Sequence, residues 1–267
     1  MKDSLKVSVF QMQSTDDIDE NLSIITDQIG KSGNAEMCVF PEYSMLHPDY
    51  SRAEEYIGSA QDLDGSFLKE IRDASKKNNR CTLVNFIEKS AVKPYNSSVY
   101  INNQGLIGAH YAKLHLFDAG SYRESLLHQQ GEKFPEPVLM AGVPSGIEIC
   151  YDIRFPELSR LLALQGSMVQ YVMAGFYAGN LKYHTWKTLL AARAMENGTY
   201  VVASAQCGPE FTGHSMIIAP DGEILQEAGD DPASISADLS MKRVLEYRES
   251  MGVINHRRRD LYGLNGF

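Results

Sequence analysis

The chain has 267 residues, 43% of them hydrophobic, and a net charge of -9. That apolar share is ordinary for a globular protein, and no Pro-, Gly- or Ser-rich divider interrupts it, so residues 1–267 read as one α/β domain with a sizeable core. The acidic balance, with basic residues dispersed except at Arg257-Arg258-Arg259, argues against nucleic acid or an anionic membrane as partner, and no apolar run approaches the roughly 18 residues needed to cross a bilayer.

In chain order, a strand is expected over residues 5–11. Ile18, Leu22, Ile25 and Ile29 then recur at helical spacing after Asp16 and Asp17, predicting a helix over 17–31. A strand over 36–40 and a helix over about 65–79 follow. Strands are expected over 82–88, 97–102 and 106–111, with Asn102-Asn103-Gln104-Gly105 as a hairpin signal between the last two. Residues 112–136 read as irregular, and a loop of that length in a compact domain points to function. Beyond a strand ending at Cys150, helices are predicted over about 156–165, 182–196 and 241–250, with Asn197-Gly198 offering the second a left-handed cap. Strands over 168–173, 200–205, 215–219, 223–226 and 234–238 alternate with them, and residues 251–267 form a C-terminal extension. Mixed strands between helices predict α/β layers; periodicity alone leaves a second sheet undecided.

Four cysteines, Cys38, Cys81, Cys150 and Cys207, are widely spaced without a Cys-Xaa-Xaa-Cys pair, so neither a zinc site nor a disulfide framework is expected. With no charged-then-apolar leader before the first strand, the expected setting is the reducing cytoplasm, where the sequons at Asn96 and Asn197 have no role. Neither a phosphate-binding nor a dinucleotide fingerprint occurs, and His-Glu-Xaa-Xaa-His is absent; no cofactor and no metal are expected.

Three apolar stretches stop at ionisable residues. Met37-Cys38-Val39-Phe40 ends in Pro41-Glu42-Tyr43, the run from Leu106 to Tyr111 ends in Ala112-Lys113-Leu114-His115, and Gly146-Ile147-Glu148-Ile149 ends at Cys150. Strand ends bearing a carboxylate, an ammonium and a thiol would converge at one edge of a sheet, where α/β folds keep their chemistry. Each also has a plain alternative: a solvated loop glutamate, a surface lysine and a packed core thiol.

Those motifs, with Val7-Ser8-Val9-Phe10-Gln11, the helix Trp186 to Asn197, Gly213-His214-Ser215, Pro220-Asp221-Gly222-Glu223 and Arg258-Arg259-Asp260-Leu261-Tyr262, resemble the carbon-nitrogen hydrolase (nitrilase) superfamily along nearly the whole chain. The run Tyr151-Asp152-Ile153-Arg154-Phe155-Pro156-Glu157 resembles its Nit-type, ω-amidase-like branch. The resemblance implies a four-layer α-β-β-α sandwich, a homodimer of eight layers paired through the helices after Cys150 and after the next strand, and dimer contacts from the C-terminal extension. It also implies Cys150 as nucleophile, Glu42 as general base, Lys113 beside the oxyanion, and Glu124 as a second carboxylate holding Lys113, although an exposed loop glutamate is the competing reading there.

An amide resists hydrolysis because nitrogen leaves poorly and water attacks poorly. A thiolate, a base that hands its proton to the departing nitrogen, and an oxyanion donor answer those needs. The N–H of Tyr151 is a plausible second donor. Tyr43, His115, Phe176 and Tyr177 are expected at the pocket, and Arg154 either binds a substrate carboxylate or pairs with Asp152 or Glu157 to brace the turn. The expected substrate is a small carboxylate-bearing amide. Carbamoyl or nitrile hydrolysis, a Cys-His hydrolase using His184 or His214, and a silent scaffold remain as rival readings.

Overall fold

A computed structural model describes residues 2–261. Tyr262 and the end of the expected C-terminal extension lie outside the described residues. The strands in chain order are β1 (Ser4–Gln11), β2 (Met37–Val39), β3 (Cys81–Glu88), β4 (Tyr95–Ile101), β5 (Ile107–Ala112), β6 (Val138–Met140), β7 (Val143–Ile149), β8 (Val169–Ala174), β9 (Tyr200–Ala205), β10 (Met216–Ile218), β11 (Ile224–Glu227) and β12 (Ala233–Ser240). The helices are α1 (Ile18–Lys31), α2 (Ala53–Gly58), α3 (Ser66–Asn78), α4 (Pro156–Leu164), α5 (Lys182–Asn197) and α6 (Met241–Met251).

The strands make two six-stranded sheets, ordered β12-β1-β2-β3-β4-β5 and β11-β10-β9-β8-β7-β6. Side chains alternate across a strand; the central strands β2 and β3 of the first sheet are buried on both faces, while its edge strand β12 is largely exposed. Leu5, Val7, Val9, Met37, Val39 and Leu83 join one core with Ile147, Ile149, Val169, Tyr171 and Val201 of the second sheet. Phe10, Cys38, Phe40, Val84 and Phe86 turn the other way, into a second core with Ile25 and Ile29 of α1 and Phe67, Leu68 and Ile71 of α3. The second sheet is covered in turn by α4 and α5, which also pack on each other. The result is the α-β-β-α sandwich, and the second sheet that periodicity left open is present.

Local chemistry explains the element ends. Of the two candidate aspartates before α1, Asp17 is the cap, its carboxylate accepting from the N–H groups of Asp19 (2.8 Å) and Glu20 (3.1 Å). The β4–β5 turn closes on Asn102, whose side chain accepts from the N–H of Gln104 and of Leu106, with Gly105 at φ 75°. Gly198 ends α5 in the left-handed conformation, as expected. Two elements were not read from the sequence: α2 is six residues long, and β6 is a three-residue edge strand paired only to β7. Both are too short to establish a period. Among the described residues no helix is long and apolar enough to cross a membrane.

Candidate active site

Glu42 lies just beyond β2, Lys113 just beyond β5, Cys150 just beyond β7 and Gly175 just beyond β8. The first two ends belong to one sheet and the last two to the other, so the convergence expected at a single sheet edge occurs instead between the two sheets. There Lys113 Nζ donates to Glu42 Oε1 at 2.8 Å and to both oxygens of Glu124, at 2.8 and 3.0 Å. Glu42, Lys113 and Glu124 are each at most 1% exposed. Glu124 is therefore no solvated loop residue; it sits in a 3-10 turn, Glu124–Leu126, inside the long irregular segment. Asn96 of β4 ties the two carboxylates together, donating from Nδ2 to Glu42 Oε1 (2.8 Å) and Glu124 Oε1 (2.9 Å). The Gly175 N–H donates to the remaining Glu42 oxygen at 2.6 Å.

Burial sets the proton affinities. It raises the Glu42 carboxyl above the ordinary carboxylate range, Glu124 adds to the rise, and the Lys113 ammonium opposes it. Burial works on Glu124 too, but there Lys113, His128 and the Phe117 N–H outweigh it and hold the carboxyl low. Lys113 stays charged, since the two carboxylates more than offset its own desolvation. Burial and then Glu42 push the Cys150 thiol well up, with a hydrogen bond to Glu42 adding to the effect. The resting cysteine is thus a thiol beside a carboxylate of raised basicity, rather than a preformed thiolate.

The turn that presents Cys150 is held open by force. Cys150 has φ 46°, a left-handed conformation uncommon for a residue with a side chain. Asp152, fully buried, accepts from the N–H of Ile149 (3.0 Å), the hydroxyl of Tyr111 (2.7 Å) and the N–H of His115 (3.1 Å), and lies 2.7 Å from His115 Nδ1. It thereby ties the thiol turn to the chain on either side of Lys113. Tyr43 is also left-handed, at φ 60°, and its N–H is fixed by Asn85 Oδ1 at 2.8 Å.

Cys150 and Lys113 line a small chamber of 20 Å³, walled by Tyr43, Phe117, Tyr151, Gly175, Phe176 and Tyr177, with Arg154 and Lys182. Four of the expected pocket residues, Tyr43, Tyr151, Phe176 and Tyr177, are thus present, together with Arg154. His115 is not: its ring stacks on Phe155 at 3.6 Å and its Nδ1 faces Asp152. The bracing alternative for Arg154 is also corrected, because the Asp152 oxygens are taken by Tyr111, Ile149 and His115, and Glu157 is exposed. His214 faces Glu227 and Asp230, and neither it nor His184 lines the chamber, so the Cys-His reading finds no base.

A model of the carbon-nitrogen hydrolase family matches residues 6–249. The chain belongs to the carbon-nitrogen hydrolases. Among its relatives, the deaminated glutathione amidase of Escherichia coli O157:H7 is 34% identical over 255 residues, covering 94% of this chain and 97% of that one. The human deaminated glutathione amidase is 30% identical over 279 residues, covering 96% and 83%. The crystal structure of the Caenorhabditis elegans NitFhit protein superposes with a TM-score of 0.89 at 30% identity, covering 98% of this chain and 66% of that longer one. A Helicobacter pylori carbon-nitrogen hydrolase, at 21% identity and TM-score 0.86, shares the fold. The chain is accordingly an enzyme of non-peptide carbon-nitrogen bonds, an amidase.

Several residues of this carbon-nitrogen hydrolase's site escaped the sequence reading. Asn96 was seen only as a sequon; the usable signal was an asparagine in a strand otherwise fit for burial, where an unpaired amide is costly. Gly175 needs no special φ, but a Cβ there would stand 2.6 Å from the Tyr43 ring. Phe117 and Lys182 sit in irregular chain and at a helix start, where no periodic pattern marks a direction. Among the described residues no group of three or more His, Cys, Asp or Glu side chains is placed to hold a metal ion.

Proposed function

We propose that this carbon-nitrogen hydrolase cleaves small carboxylate-bearing amides through a thioester on Cys150. As Sγ attacks the carbonyl carbon, the thiol proton passes to Glu42, and the carbonyl oxygen becomes an oxyanion. Lys113 makes three contacts, two of them to one carboxylate. Two N–H groups satisfy Glu42 and Glu124, which leaves the third for the oxyanion. Collapse breaks the C–N bond, and Glu42 returns its proton to the leaving nitrogen. Glu42 then takes a proton from water as it attacks the thioester; the second collapse expels the thiolate, which recovers that proton and leaves the free acid. A base raised toward neutrality suits both proton transfers.

The observation that carries the reading is the buried ammonium 2.8 Å from each of two carboxylates, in the wall of the chamber into which Cys150 opens. Arg154, paired with neither Asp152 nor Glu157, supports a negatively charged substrate. The test is ammonia or amine release by wild type and Cys150→Ala on ω-amides of 2-oxo acids, a carbamoyl amino acid and a nitrile. Deaminated glutathione joins them because two relatives carry it in their names. Turnover of an amide that vanishes in Cys150→Ala is expected; carbon dioxide released with ammonia, or turnover of the nitrile alone, would redirect the assignment within the family.

The same reading proposes a homodimer paired through α4 and α5, with the C-terminal segment contributing, in the reducing cytoplasm. Exposed Met195 on α5, with exposed Leu245 and Met251 on the neighbouring α6, favours a covered surface beside that seam, and the four buried cysteines, free of disulfides, suit a reducing setting. Sedimentation equilibrium returning a single-chain mass would refute the dimer.

A further inference from the structure

Two cations, Arg154 and Lys182, stand together at the chamber. The Arg154 guanidinium lies 5.6 Å from the centre of the Phe176 ring, and Lys182 Nζ lies 5.4 Å from the same ring and 5.6 Å from that of Phe117. Both side chains are half-buried. Burial first, and Arg154 second, press the Lys182 ammonium toward its neutral form, and no carboxylate among the described residues forms an ion pair with either group. Ring faces compensate part of the desolvation, but two like charges in one apolar wall are unfavourable unless something anionic arrives.

Their position says what arrives. Phe117, Tyr151, Arg154 and Lys182 line the inner chamber of 20 Å³, and the same four line an outer vestibule of 440 Å³ completed by Ala119, Gly120, Ser121 and Tyr122. The cations therefore stand at the neck between the thiol and open solvent. Lys182 is the first residue of α5, directly after Leu181, which is held at φ 59° with its side chain exposed. A strained backbone that turns an apolar side chain to solvent while aiming a lysine at the neck is hard to explain by packing.

We propose that Lys182 is a specificity residue: with Arg154 it forms a two-cation seat at the neck for a carboxylate of the substrate. This rests on the amidase reading of the same site. The carboxylate belongs either to the acyl part or to the departing amine. In the first case the acyl chain folds back to the neck; in the second the amine reaches out through it.

Binding separates this inference from the chemistry. In Cys150→Ala protein, calorimetry would compare glutaramate with pentanamide, which has the same acyl length without the charge, and N-butyrylglycine with N-propylbutanamide for the amine side. Glutaramate or N-butyrylglycine should bind more tightly than its neutral partner. Lys182→Gln should weaken the charged ligand about tenfold relative to the neutral one, as loss of one charge-assisted contact does, and Lys182→Arg should restore the preference. Which pair responds identifies the carboxylate's source. Equal weakening of charged and neutral ligands, no change in either, or no preference in the parent protein would overturn the seat. Intact charge selectivity in binding, with no Cys150-dependent turnover of any amide by wild type, would instead refute the amidase reading and leave the seat standing.

Discussion

At the scale of single residues, the site is a problem of buried charge. Glu42 is the expected base, so Glu42→Gln should lower kcat by about 10²- to 10⁴-fold; its one amide oxygen can serve either Gly175 or the Asn96 and Lys113 donors, so stability should also fall by about 1–3 kcal/mol. The pH profile carries a sign. Glu42 is raised from an ordinary value of 4.5, so the acid limb of kcat/KM should fall above that value, as protonation removes the base. An acid limb at or below the ordinary carboxylate range would take Glu42 out of the role. Lys113→Ala should cost about 3 kcal/mol of transition-state stabilisation if it supplies an oxyanion donor, read as a drop in kcat/KM on the best amide. Gly175→Ala tests a quieter contact: the new methyl would meet the Tyr43 ring at 2.6 Å and either displace that wall or pull the N–H from Glu42, and both outcomes reduce kcat. Glu42, Lys113 and Cys150 were legible because each closes a short apolar run, a pattern local in the chain. Asn96, Gly175 and Lys182 were not, because their meaning comes from strand register and from the approach of one sheet to another.

Elements make the residues usable. The strain at Cys150, of the order of 1–3 kcal/mol for a left-handed residue with a side chain, persists because Asp152 overdetermines the turn through Ile149, Tyr111 and His115. Asp152→Asn replaces one acceptor oxygen with a donor facing groups that already donate. It should lose about 1–3 kcal/mol of stability in urea melts and lower kcat more than it raises KM, since the thiol rather than the neck is displaced. Unchanged kcat would reduce Asp152 to a structural brace. The helices with repeating apolar positions, α1 and α5 among them, could be read from spacing, and their caps from Asp17 and Gly198. Short α2 and β6 could not. His115 was misjudged for a related reason: its neighbour Lys113 points between the sheets, while the histidine serves the turn across from it.

At the scale of the whole molecule, the thiol's strand also holds a charge problem on its other face. Glu148, two residues before Cys150 on β7, is fully buried against α4, with Ser159 Oγ 2.8 Å from both carboxyl oxygens. Burial, with a smaller push from Asp152, raises its carboxyl from 4.5 to about 8, against the pull of Ser159 and Arg193. Below its ordinary value the group is neutral whether the chain is folded or unfolded, and it costs nothing extra. As pH rises from about 4.5 to about 8, the unfolded chain releases the proton while the folded one keeps it, so stability falls through that window. Above it the carboxylate is ionised in both states and the folded protein bears the full desolvation cost. Glu148→Gln keeps the shape and a hydrogen bond to Ser159 without an ionisable group. Urea melts of the variant should show a flatter pH profile, and the gap in its favour should widen steadily between about pH 4.5 and about pH 8. Parallel profiles for the two proteins would mean that Glu148 is solvated or paired in solution, and that the α4 layer opens enough on the sheet to admit water.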